Sequence, residues 1–345
     1  MNRATEKLML IALRNVPLIL FALIFVVFGL LSPRFFQYRN FENIIKQASY
    51  IGMVAVGMTF VLLTAGIDLS VGSNMYLSAV VAGLLINRCG APVWLALVCC
   101  LGVGLAFGAF NAVAVAKLRM IPFVVTLGTL VAGRGLALWL TKSKAVPFPD
   151  SVIRIGSVRL FGIVPLPIVL FATVVFCAHI FLQRTASGRQ MYAVGRDLEA
   201  ARKAGINADR IRATAYVICG LLAALGGFIS VAQLGIVNAG FGEGDEFDAI
   251  AAAVLGGTSL FGGRGSVFPG TVLGAVLIQM VTAGLVFTQV DLYLQPLVAA
   301  AIIFLAVFLD SLRHKQLARL GRRHIRIEDS SRRSEPEPGR QVVET

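Results

Sequence analysis

The chain has 345 residues, of which 57% are hydrophobic and only 14% charged. A soluble domain is about half apolar and about a quarter charged, so these few charges cannot coat a water-facing surface and much of it must face lipid. A net charge of +13 would suggest nucleic acid in a soluble protein; here, with no aromatic-basic binding motif, it fits cytoplasmic loops against anionic headgroups, so lipid is an expected partner and nucleic acid is not.

In chain order, Arg3, Lys7 and Arg14 precede an apolar run from Val16 to Leu31, and Ser32-Pro33-Arg34 follows without a small-x-small cleavage site. The run reads as an uncleaved first helix. Further apolar segments fall at 48–67, 71–87, 92–116, 120–140, 161–182, 213–235, 248–262, 267–288 and 292–310. A span needs about 20 apolar residues, so the pattern predicts an all-α protein with about ten transmembrane helices. The Gly/Ala-rich segment near 248–263 is short enough for a half-span or re-entrant element. Placing both termini in the cytoplasm puts 22 Lys and Arg on inner segments and 8 on outer ones, the bias expected for N-in, C-in. The predicted organisation is a cytoplasmic N-terminus (1–15), a membrane domain (16–310) with a cytoplasmic loop at 183–212, and a basic, disordered cytoplasmic tail (311–345).

Neither the loop nor the tail can hold a catalytic domain, and no GxxxxGK[ST] phosphate loop occurs, so an ATP-driven process would need its engine, with ATP and Mg²⁺, on another chain. No cofactor or metal is expected on this one. The five cysteines (Cys89, Cys99, Cys100, Cys177 and Cys219) have no CxxC spacing and read as buried thiols. Gly72-Ser73 and Gly265-Ser266 open similar Gly-rich segments, a weak trace of the duplicated halves common in transporters.

Within the basic loop, Asp197 is a good N-cap, Leu198 to Ala204 are helix formers, and Gly205 suits a left-handed stop with Lys203 in the last turn. That gives a helix of two turns, roughly 10 Å long. Ala200, Ala201 and Ala204 would let it seat in a partner's groove. A helix lying among headgroups fits the spacing equally well.

Glu199-Ala200-Ala201, followed by Gly205-Ile206, resembles the EAA loop of ABC importer permeases. Ala65-Gly66-Ile67-Asp68-Leu69-Ser70-Val71-Gly72-Ser73 resembles a hallmark of ribose/xylose/galactose-type sugar permeases. The segments Leu255 to Ser266 and Ile121 to Gly128 also match, all in family order between about 16 and 310. The resemblance implies a permease subunit in the bacterial inner membrane, importing a monosaccharide or small polyol by alternating access. It further implies that Glu199, Ala200, Ala201, Gly205 and Ile206 couple to a cytoplasmic ABC ATPase. A periplasmic sugar-binding protein and a second permease copy would complete the assembly.

Asp68, Ser70 and Ser73 sit where a Gly-rich helix breaks and restarts; they read either as capping and packing or as lining of the path or gate. Arg134 is the one strong charge well inside a predicted span, at a cost of about 3 kcal/mol unless it snorkels, pairs with an acid such as Asp68, or meets solute. A neutral polyol needs hydroxyls and amides more than fixed ions; Asn111, Thr126, Thr129, Gln233 and Gln279 are the candidates, though interhelical hydrogen bonding is the job expected first of each. His179 reads as a hydrogen-bonded core residue. The alternative function, an ion-coupled secondary transporter, would draw its relay from Asp68, Arg134 and His179.

Overall fold

A computed structural model describes residues 16–291, 293–301, 304 and 308; the predicted N-terminal segment and the charged tail lie outside the described residues. α1 (Val16–Leu31) is apolar throughout and turns at Pro33–Phe36, whose Phe35 is buried. α2 (Tyr38–Leu63) then runs 26 residues, about 39 Å at 1.5 Å per residue. It starts ten residues before the predicted 48, because its polar first turns find partners. Asn40 donates to the Phe35 carbonyl at 2.9 Å, and Glu42 pairs with Arg159 at 2.7 Å. From Ile51 to Leu63 every side of α2 is buried, the mark of a central helix.

The chain continues through α3 (Val71–Cys89), α4 (Val93–Ala112, extended by a π turn at Val113–Lys117) and α5 (Pro122–Thr141). Pro122 opens α5 in the first turn, where its missing N–H costs nothing. A short α6 (Asp150–Ser157) precedes α7 (Leu166–Arg184). α8 (Ala186–Arg196) and α9 (Leu198–Lys203) lead into α10 (Ala208–Leu234). α11 (Asp245–Leu255) and α12 (Val272–Phe287) follow, and residues 295–301 are again helical. Two short antiparallel ladders pin the connections: β1 (Val146–Pro147) with β4 (Ile236–Val237), and β2 (Arg159–Leu160) with β3 (Val164–Pro165).

α10 is the hub, and small residues make it one. Its Gly220 faces Gly108 of α4, Gly227 faces the Met75 backbone of α3, and Gly57 of α2 faces the Cys219 backbone. Added methyl groups at these positions would lie 2.7, 2.9 and 3.0 Å from those atoms. Without a hydrophobic drive between helices in lipid, such close backbone approach supplies the packing energy. Membrane windows on α2 and α10 are 78% and 72% buried, against 22% on α4 and α5. The outer faces of α4, α5 and α7 expose Trp94, Val98, Phe110, Val131, Trp139 and Phe176, as lipid-facing surfaces should.

Among the described residues, six helical stretches are long and apolar enough to cross a membrane: Tyr38–Leu63, Val93–Lys117, Pro122–Thr141, Leu166–Arg184, Ala208–Leu234 and Val267–Phe287. α3 has 19 residues, but Ser73, Asn74, Ser78, Asn87 and Arg88 lower its hydropathy. α11 has 11 residues, about 16 Å, half the hydrocarbon thickness. Irregular backbone from 256 to 266 follows it, with Gly262 and Gly263 at φ +85 and +67, where only glycine sits without strain.

Candidate coupling helix and polar pathway

The two-turn helix forms as its sequence dictates. Asp197 accepts from the Ala200 N–H at 2.9 Å. At the other end the Gly205 N–H donates to the Arg202 carbonyl and the Ile206 N–H to the Ala201 carbonyl, at 2.9 and 3.0 Å. With Gly205 at φ +79, this is a Schellman closure. Glu199, Ala200, Ala204 and Gly205 are exposed and Ile206 is half-buried. Ala201 departs from the prediction: it is buried against its own chain, so the free small-residue face consists of Ala200 and Ala204. Arg202 holds the helix to the start of α10 through Asp209 at 2.9 Å and also approaches Glu199 at 3.6 Å.

The second group gathers around the segment between α2 and α3. Asp68, only 1% exposed, accepts from the Ser70 N–H at 3.0 Å and the Ser70 hydroxyl at 2.6 Å. The Asn111 amide of α4 donates to Ser70 Oγ at 2.8 Å and lies 3.4 Å from Asp68 Oδ1. Thr129 of α5 donates to Asn111 Oδ1 at 3.0 Å. Ser73 donates to the Ser70 carbonyl, and Thr126 donates to Pro122 of its own helix while facing the Ile67 carbonyl at 3.4 Å. Five of the predicted path residues, Asp68, Ser70, Ser73, Asn111 and Thr126, are thus brought together from three elements. Asp68 forms a turn with Ser70 instead of capping α3, and neither caps that helix with a side chain.

Arg134 is not part of this group. Its guanidinium donates to the carbonyls of Ala239 and Phe241 at 3.0 and 3.3 Å, stands 3.9 Å from Glu243, and lies over the Tyr76 ring. Its acidic partner is therefore Glu243 rather than Asp68, and it pins the 238–244 loop to α5. Gln233 is also apart: its amide donates to the Lys46 carbonyl at 3.1 Å, tying α10 to α2. His179 is half-buried with its ring edge-on to Phe268, not a core residue. Of the cysteines, Cys100 and Cys219 are buried as expected, whereas Cys89 and Cys177 are exposed and Cys99 is intermediate.

Sequence reading passed over Tyr216, whose hydroxyl donates to the Ile67 carbonyl at 3.3 Å and closes the group from α10. A phenol in the middle of an apolar run needs a partner, and that was the available signal.

Residues 40–307 match the family model described as "Branched-chain amino acid transport system / permease component". The chain is 39% identical to the ribose import permease protein of Escherichia coli (strain K12) over 301 residues, 85% of this chain and 92% of that one. It is 35% identical to the fructose import permease protein of Rhizobium meliloti, over 86% of this chain and 84% of the relative. It is 37% identical to an autoinducer 2 import system permease protein of Yersinia enterocolitica, over 83% and 79%. No solved structure matches. With six membrane-length apolar helices beside these matches, the chain belongs to this family of multi-pass inner-membrane permease components, within its sugar-importer members.

Proposed function

We propose that this chain is the membrane subunit of an ATP-driven importer for a monosaccharide or similar small polyol. The observation that carries the reading is the closed two-turn helix with Glu199, Ala200, Ala204 and Gly205 turned outward, on a chain whose relatives are sugar import permeases. A capped, pre-ordered helix loses little entropy on docking and can transmit force. The partner is a cytoplasmic ABC ATPase that carries ATP and Mg²⁺. A periplasmic sugar-binding protein delivers solute, and a second permease copy completes the pathway. The chain crosses the membrane about ten times with both termini inside, α11 contributing a half-span. Closure of the ATPase pair moves α9, and the pathway alternates between inward- and outward-facing states.

The Asp68–Ser70–Asn111–Thr129 group lies at the gate of that pathway, with Ser73 and Thr126 beside it; Arg134 orders the outer loop, and Gln233 is an interhelical tie. The permease needs only weak affinity for sugar, since capture belongs to the binding protein. An ion-coupled mechanism would call for a midplane relay; Arg134 and His179, tied elsewhere, do not supply one with Asp68. Ribose uptake and ribose-stimulated ATP hydrolysis in proteoliposomes holding the whole complex test the reading. Glu199→Ala and Gly205→Ala are expected to lower both. Normal values in the two variants would discredit docking, and uptake driven by an ion gradient without ATP would discredit the function.

A further inference from the structure

We infer that Gly195 is the joint through which movement of α9 reaches both Gly-rich loops at once. The inference rests on the docking role of α9. Gly195 lies in the last turn of α8, one residue before its end at Arg196 and two before the Asp197 cap, so only Arg196 and Asp197 separate it from α9. Its backbone lies directly on the end of α2: a methyl group there would overlap the Leu63 carbonyl and come within 2.6 Å of the Gly263 N–H nitrogen. That Gly263 N–H itself donates to the Leu63 carbonyl at 3.0 Å.

The contact is reciprocal. A methyl on Gly262 would stand 2.7 Å from the Gly195 carbonyl oxygen and 2.9 Å from the Ala65 nitrogen; one on Gly263 would stand 2.9 Å from the Arg196 Cα. One turn earlier on α8, the Tyr192 hydroxyl donates to the Gly265 carbonyl at 3.1 Å. Three strands of backbone therefore meet closely, with only the Cβ atoms of Ala65 and Arg196 beside them: residues 63–65, 195–196 and 262–263. Contacts of this kind have almost no compliance, because close-packed interiors pass displacement on instead of absorbing it. One loop leads within three residues to Asp68 and within five to Ser70. The other leads into the kinked segment Val267–Thr271, where Phe268 is extended, and on to α12. A shift of α9 is delivered to the polar gate and to α12 together.

The test uses the complete complex, with its ATPase and a ribose-loaded binding protein, in proteoliposomes, reading ribose moved per ATP hydrolysed. A folding defect lowers the amount of active complex but not this ratio. Gly195→Ala is expected to keep the ATPase bound and hydrolysing while lowering the ratio about tenfold. Tyr192→Phe removes one hydroxyl and no packing volume, and is expected to lower the ratio up to about fivefold. In parallel, a Lys203→Cys variant of the otherwise unchanged complex, cross-linked to the ATPase from an exposed position on α9, reports docking. Cross-linking with a wild-type ratio in Gly195→Ala, or in Tyr192→Phe where the first variant does not assemble, overturns the joint and leaves docking intact. Absence of the cross-link overturns docking, and the joint with it.

Discussion

Asn111→Ala is the sharpest probe of the polar group. Asn111 is fully buried, donates to Ser70 Oγ at 2.8 Å, faces Asp68 at 3.4 Å and accepts from Thr129 at 3.0 Å. Truncation removes two clear interhelical hydrogen bonds, each worth about 0.6 kcal/mol in a membrane bundle. It also leaves buried oxygens short of a donor, at about 1–3 kcal/mol. A total near 2–4 kcal/mol follows from these two effects. At about 2–4 °C per kcal/mol, the figure for domains of 150–250 residues, the melting midpoint should fall by roughly 4–16 °C. Thr129→Val loses only one of the interhelical bonds but also leaves the buried Asn111 Oδ1 without its donor, and should cost about 0.6 kcal/mol less than Asn111→Ala. Heating detergent-solubilised protein and following its monodisperse fraction by size-exclusion chromatography gives both midpoints. If Asn111→Ala melts within about 1 °C of the parent, the amide is not holding the three elements together and the reasoning fails.

Two further outcomes follow from exposure and charge. Cys89, exposed at the last residue of α3 on the proposed outer side, should react with a membrane-impermeant maleimide in intact cells. Cys177, exposed on α7, should react only with a permeant reagent, and Cys100 and Cys219 with neither; labelling of Cys89 only after the inner face is opened would reverse the proposed orientation. Arg134→Gln should release the 238–244 loop, seen as faster maleimide labelling of an Asn238→Cys variant, since the guanidinium supplies both carbonyl bonds; an unchanged labelling rate would show that the loop is held by other contacts.

Local chemistry was legible in the sequence. The Asp197 cap and the Gly205 stop bound α9 where the residues predicted them, because both signals act within four residues of the helix end. The six long helices follow from runs of apolar residues, and the short α11 follows from the Gly-rich stretch behind it. Partnerships across the fold were not legible. Arg134 finds main-chain carbonyls about a hundred positions away, and backbone carbonyls leave no trace in a residue pattern. Tyr38 to Gln47 read as a connection because six of those ten side chains are charged or amide-bearing, yet they extend α2 once Glu42 meets Arg159. Cys177 looked like core only because lipid-facing and core-facing apolar residues share one composition.

Where the glycines lie divides the molecule mechanically. Along α4 and α10, Gly104, Gly108 and Gly220 set backbone against backbone: a methyl at Gly104 would lie 2.5 Å from the Gly220 carbonyl oxygen, and one at Gly108 would lie 2.6 Å from the Tyr216 carbonyl oxygen. Neither helix can slide on the other without collision, so α4 and α10 must move as one body. α2 and α3 join that body through Gly57 and Gly227. The irregular stretches at 64–70 and 256–266 are held through hydrogen bonds instead, the first by the Asn111 and Tyr216 side chains and the second by Tyr192 and the Gly263 N–H. On the proposed docking role, motion entering from α9 meets a four-helix body locked by backbone contact on one side and two hydrogen-bonded loops on the other. It is the loops that must yield, and Asp68 with Ser70 sits on the first of them.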